Sequence, residues 1–209
     1  MRRPRGITIV ELIVTSVILG LLGLLTVVLF RTGASGWKKL EAQSGLLADY
    51  EVFNEKLSRE VQRSNFSSAS KADTPDDTGT TLAFLSAMDD NGEFALDTDS
   101  PAPTFEPVWQ RYLVFYWDKP SGRLYLNEVK LVAGSPEMNA PEPLELYDAG
   151  TGDINDYRTG GRLLMTSVDK CQFKLEDMML TVEIGAKKSR YGDEQPEALD
   201  MINSVSFRN

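Results

Sequence analysis

The chain has 209 residues, one cysteine and no histidine, with 22 Lys plus Arg against 31 Asp plus Glu and a formal charge of −9. These counts exclude Ser–His–Asp triads, imidazole bases, His-held metals, an intrachain disulfide framework and a zinc ribbon. The acidic balance also argues against nonspecific capture of nucleic acid or an anionic bilayer, because that binding requires clustered Lys and Arg.

The first element is a run of apolar residues. Residues 7–30 hold 17 Ile, Val, Leu or Phe and a single charge, Glu11. As a helix this run would be about 36 Å long, against a hydrocarbon core of about 30 Å. Arg2, Arg3 and Arg5 precede it, so the positive-inside rule keeps that end cytoplasmic and exports the C-terminus. The run is longer than a signal-peptide core of about 7–15 residues, and no small-residue cleavage site follows promptly. On hydropathy alone it reads as a plain single-pass anchor. Glu11 does not fit that reading. A carboxylate costs about 2.5–3.5 kcal/mol at the centre of a membrane helix, somewhat less near its end, so it asks for a role and a partner.

No proline occurs between Pro4 and Pro75, and a helical rhythm continues past residue 30. Trp37, Leu40 and Leu47 fall on one side, then Leu46, Tyr50, Phe53, Leu57 and Val61 recur at helical spacing. One helix is therefore expected over about 7–65, apolar all round in its first half and packed by one face in its second. Gly20, Gly23, Gly33, Gly36 and Gly45 interrupt it. In a membrane helix such residues serve close helix packing.

Beyond it, 64–79 is rich in Ser, Asp, Pro and Gly and reads as a break. Short strands between polar turns follow. Residues 80–85 form a strand, 89–107 a loop, 108–117 a central strand and 123–132 its hairpin partner. Residues 144–147 read as an edge strand, and 163–168 as a helical turn or extended link. Alternation is clean at Cys171, Phe173 and Leu175 and at Leu180, Val182 and Ile184, with Glu176-Asp177 turning the hairpin. The last strand runs near 201–207. Together these give an α+β layout, a long N-terminal helix on an antiparallel sheet.

Few residues carry chemistry. Cys171 faces inward on a strand and reads as an inert thiol. Asp89-Asp90-Asn91-Gly92-Glu93 and Asp153, Asn155 and Asp156 are calcium-type oxygen ligands without EF-hand spacing, and read as solvated turns. Asp76-Asp77, in a Gly/Pro-rich loop, does not read as a hydrolytic pair. Phosphate-loop, nucleophile-elbow and dinucleotide fingerprints are missing. Trp109, Tyr112, Phe115, Tyr116 and Trp117 read first as core, then as a partner surface.

The stretch Arg5-Gly6-Ile7-Thr8-Ile9-Val10-Glu11-Leu12-Ile13-Val14, with the apolar run behind it, resembles the class III leader of type IV pilins and type II secretion pseudopilins. The resemblance implies a leader over 1–6, a transmembrane and assembly helix over 7–30, an amphipathic continuation over 31–65 and an exported sheet domain over 66–209. It implies that prepilin peptidase cleaves after Gly6 and N-methylates Ile7, which stands where the family most often has Phe. It also makes Glu11 the acid that sets axial register between subunits. Cleavage would free an α-amino group about one helical turn before Glu11, and a neighbouring subunit's carboxylate would neutralise that amine. Loss of the leader's three Arg leaves 19 basic against 31 acidic residues, a net of −12.

Two looser patterns are Trp109–Trp117 leading into Gly122-Arg-Leu-Tyr125, and Leu163-Leu164, Val168 and Phe173 followed by the terminal Ser204–Asn209. They resemble the larger minor pseudopilins of the J class and minor pilins of the W class. The implied function is a structural subunit and not an enzyme, assembled into a secretion pseudopilus or a pilus tip. The implied partners are the peptidase, other pilin-like subunits and the inner membrane, with no nucleic acid. The implied location is the inner membrane in a single pass, with the leader cytoplasmic and the domain periplasmic or extracellular, then the filament. No cofactor is expected, although some pseudopilins hold a structural calcium. Part of the corresponding helix melts in pilin filaments, which marks Gly20 to Gly36 as the softer stretch here. The alternatives are a pilus-tip module for DNA uptake or adhesion, and a plain anchored domain.

Overall fold

The computed structural model describes residues 8–89, 91–97, 105–134, 138–147, 152–188 and 196–208. The chain divides into two compact units, Met1–Ala42 and Gln43–Asn209. Gly6 and Ile7 lie outside the described residues, as do Asp90 and the stretch from Asp148 to Thr151.

The first element is α1 (Ile9–Gln62), shorter at both ends than the sequence rhythm implies. At its C-terminus the N–H groups of Arg63 and Ser64 donate to the carbonyls of Glu60 and Val61 at 3.2 and 3.1 Å, tightening the last turn. Asn65 then caps a 3-10 turn at Phe66–Ser68, its Oδ1 accepting from the Ser67 N–H at 2.9 Å. Of the two apolar stripes, only one packs. Leu46, Phe53, Leu57 and Val61 are buried and Tyr50 is half-buried, whereas Trp37, Leu40 and Leu47 are exposed.

Among the described residues, eight strands follow, in two sheets rather than one. The larger has the order β1 (Ser70–Asp73), β2 (Gly79–Ser86), β3 (Arg111–Asp118), β4 (Arg123–Lys130) and β5 (Arg162–Met165). The smaller has the order β6 (Val168–Glu176), β7 (Met179–Lys188) and β8 (Glu197–Ser206). Every pairing is antiparallel. The observed layout is thus one long N-terminal helix followed by antiparallel sheet, an α+β arrangement.

One core joins the helix face to both sheets, through Phe53, Phe84, Phe115, Leu124, Phe173, Val182 and Ile184. Its aromatic centre is ordered. Phe84 stacks on Phe115 at 5.7 Å, and Phe53 and Phe207 meet the pair edge-on at 6.2 and 5.8 Å. A second core lies around Leu85, Tyr112, Val114, Leu144, Tyr147 and Ile154. It covers the other face of β2 and β3, which is why all eight residues of β2 and six of β3 are buried. The central-strand reading of that segment therefore holds, and its aromatic residues are core.

Four local expectations are changed or decided. Residues 144–147 are not an edge strand but a 3-10 turn, Leu144–Leu146. Leu144 and Tyr147 are both buried in the second core. A strand would point residues three apart to opposite faces, whereas a 3-10 turn eclipses them on one side. Of the two readings of residues 163–168, the extended one is observed and the helical turn is not. These residues contain β5, which pairs with β4, and Ser167 at a φ of 63° turns the chain into β6. The break over 64–79 contains β1, joined to β2 by a tight turn in which Asp77 takes a φ of 54°. Gly79 sits where a Cβ would lie 1.9 Å from the Trp117 carbonyl oxygen, so no larger residue fits between β2 and β3. The hairpin β6–β7 turns one residue later than expected. Asp177 and Met178 have φ of 49° and 63°, and Glu176 pairs with Met179, as a two-residue primed turn requires.

Candidate functional site

The site with a distinctive build is the N-terminal part of α1. Thr8 stands at its N-cap and Glu11 three residues on. The Thr8 N–H and hydroxyl donate to Glu11 Oε2 at 2.9 and 3.0 Å, and the Glu11 N–H donates to Thr8 Oγ1 at 3.3 Å. This reciprocal arrangement is a capping box, which satisfies two N–H groups that a helix start otherwise leaves open. It is legible in the sequence as Thr-x-x-Glu at the head of an apolar run, and it gives Glu11 a second role beside axial register. Glu11 is thus placed in the first turn of the helix. Gly6 and Ile7 lie outside the described residues.

The remaining polar side chains of 9–30 turn inward on their own helix. Thr15 donates to the Leu12 carbonyl at 3.1 Å, Ser16 to the same oxygen at 2.8 Å and Thr26 to the Leu22 carbonyl at 2.8 Å. These hydroxyls are therefore satisfied within the segment, as a hydrocarbon surround requires. The apolar side chains between them point outward, from Ile9 at 80% to Phe30 at 79% relative exposure. Gly20, Gly23, Gly33 and Gly36 have open space where a Cβ would stand, so no contact within the chain requires them. Among the described residues, α1 is the one helix long and apolar enough to cross a membrane.

The other candidates resolve into structural roles. Cys171 is fully buried on β6, and desolvation pushes its thiol far above the ordinary range. It is therefore an inert thiol. Asp89 accepts from the N–H groups of Asn91 and Glu93 at 2.9 and 2.7 Å, and these bonds hold its carboxyl below the usual range. Asp153 caps the 3-10 turn Ile154–Tyr157 by accepting from the Asn155 N–H at 2.8 Å, and Asn155 Oδ1 accepts from the Thr81 hydroxyl. Asp89 and Asp153 thus each cap their own turn, and Asn155 ties the second loop to β2. Asp76 and Asp77 diverge: the first accepts from the Thr78 hydroxyl and the second pairs with Lys119, each at 2.8 Å. Among the described residues, no three His, Cys, Asp or Glu side chains converge as metal ligands would.

Comparisons with models of known families, with curated proteins and with solved structures find no match.

Proposed function

We propose that this chain is a pilin-like structural subunit, cut after Gly6, N-methylated at Ile7 and assembled through its N-terminal helix into a type II secretion pseudopilus or a type IV pilus tip. In this reading it is held in the inner membrane by residues 7–30 and its sheet domain is exported. The observation that carries the reading is the stretch 9–30, whose apolar side chains are exposed while its hydroxyls bond to their own helix. A surface of that kind must be covered by lipid or by like helices. The leader-like sequence ahead of it adds the means of release from one to the other, and Gly20 and Gly23 permit close approach.

Mass spectrometry of the native N-terminus tests the processing. The expected product begins at N-methyl-Ile7. A chain still beginning at Met1, in cells with a working peptidase, overturns the proposal. Glu11 has two competing roles that substitution separates. Glu11→Gln preserves a capping-box acceptor and removes the charge, because Gln also serves at that position. Glu11→Ala removes both. The register role requires that both variants insert in the membrane and that neither cross-links into filaments with other subunits. Assembly by Glu11→Gln but not Glu11→Ala would assign the residue to the helix cap and withdraw its register role.

A further inference from the structure

The Gln43–Asn209 unit contains a cleft of about 350 Å³ that filament assembly through the N-terminal helix does not use. Arg63, at the end of α1, and Arg208, near the C-terminus, both line it, with Trp109, Pro107, Asn139 and Glu106. Backbone contacts hold the two segments that carry these arginines side by side. The Arg208 N–H donates to the Ser64 carbonyl at 3.1 Å, and Asn65 and Arg208 form an isolated parallel bridge. Phe66 and Phe207 meet edge-on at 5.6 Å directly beside that bridge and fix the two segments.

The chemistry of the lining is selective. Arg63 is half-buried, and its one polar side-chain partner among the described residues is Met88 Sδ at 3.3 Å, a weak acceptor. A guanidinium carries five N–H donors in a fork that matches a carboxylate. Among the described residues, no carboxylate within hydrogen-bond or ion-pair distance of that fork accompanies the Met88 contact. Trp109 is buried and gives the cleft an apolar wall beside Pro107. Asn139 adds an amide. Glu106 leaves the lining with a single net positive charge, which suits one carboxylate and disfavours a polyanion.

We propose that this cleft binds a peptide carboxylate carried next to an apolar side chain, with the carboxylate on the Arg63 and Arg208 guanidinium groups and the apolar group against Trp109. The carboxylate comes either from a partner chain's C-terminus or from an acidic side chain within it. The inference stands on the sheet unit and is independent of the assembly reading.

The test uses the full chain in detergent micelles, with the indole N–H signal of Trp109 assigned by comparison with Trp109→Phe. Four probes are titrated to about 1 mM, a range that captures weak recognition. They are acetyl-Gly-Ala-Leu with a free C-terminus, the same peptide amidated, acetyl-Ala-Glu-Leu-Ala-amide, and inorganic phosphate. The expected result is a saturable shift with the first or third probe, weakened at least tenfold by Arg63→Gln at unchanged melting temperature and severalfold by Arg208→Gln. Saturation by the first probe alone assigns the chain-terminal source, and by the third alone the side-chain source. Equal binding of the amidated peptide, insensitivity to Arg63→Gln, or no peptide shift overturns the proposal. Phosphate binding as tight as either peptide overturns its apolar half.

Discussion

The stretch 9–30 and the Gln43–Asn209 unit use apolar residues in opposite ways. The first holds the densest apolar run in the chain and exposes it, including Leu19, Leu29 and Phe30 at more than two-thirds of their surface. Outside 7–30, Ala, Val, Ile, Leu, Met, Phe, Trp, Cys and Gly make up about 42% of the chain, somewhat below the about 45–50% of ordinary globular proteins, yet the second unit builds two cores. Apolar content therefore does not make a core. A lone helix offers side chains in all directions and cannot cover itself, whereas two sheets and one helix face enclose a volume. Burying a Leu or Phe side chain is worth about 1.5–3 kcal/mol. The exposed stretch accordingly holds a large, unrealised driving force for lipid or for other helices.

The contrast can be broken most sharply in the aromatic centre. Phe84→Ala should cost the sheet unit about 3–5 kcal/mol in chemical unfolding of the full chain in micelles. Leu25→Ala should leave that transition within about 0.5 kcal/mol, because the residue packs on nothing buried. Equal shifts would mean that the two regions are not energetically separate. A smaller effect is expected at Glu60, which is 5% exposed, pairs with Lys56 at 3.2 Å and accepts from the buried Ser86 hydroxyl at 3.0 Å. Glu60→Ala should cost about 1–3 kcal/mol by stranding Ser86 in the interior. An unchanged transition would show that the carboxylate contributes nothing net.

On the other side of the comparison, Thr8→Ala should loosen the helix start by about 1 kcal/mol. Faster amide exchange at residues 9–12, with the sheet transition unmoved, is the expected reading. The smallest effect is one of pH. Hydrogen bonds from Lys174 and Lys170 hold the Glu183 carboxyl below its ordinary value of 4.5. A folded value below the unfolded one contributes stability above about pH 4.5, lost as pH falls through the folded value. Glu183→Gln should therefore flatten the acid limb of melting temperature against pH. An unaltered acid limb would remove Glu183 from the acid response.

Much of the sheet was legible because its strands alternate or run apolar on both faces. The β6–β7 hairpin showed in Cys171, Phe173 and Leu175 facing one way, and β3 in the unbroken apolar run Tyr112–Trp117. Leu144 and Tyr147 misled because four residues cannot distinguish a strand from a 3-10 turn. Only the second core, which buries both on one side, decides between them. Ser70–Asp73 hid for a different reason. Its polar residues form an edge strand by pairing with β2, and that pairing partner is invisible to local composition. At the candidate site, Thr8 and Glu11 stood in plain view as a helix-start signature. The cleft of Arg63 and Arg208 had no local signature, since its two cations are far apart in the chain.

The sequence by itself determined the apolar helix at the N-terminus, its single acid, the acidic sheet-rich remainder and the absence of histidine chemistry. These are properties of composition and of short periods, set by residues within a few positions of one another. Tertiary structure alone decided that the strands divide into two sheets, which helix stripe is buried, and that Arg63 and Arg208 share one cleft. Those outcomes depend on which distant segments meet. Chain closure and the packing of Phe53, Phe84, Phe115 and Phe207 settle that question, and local patterning does not.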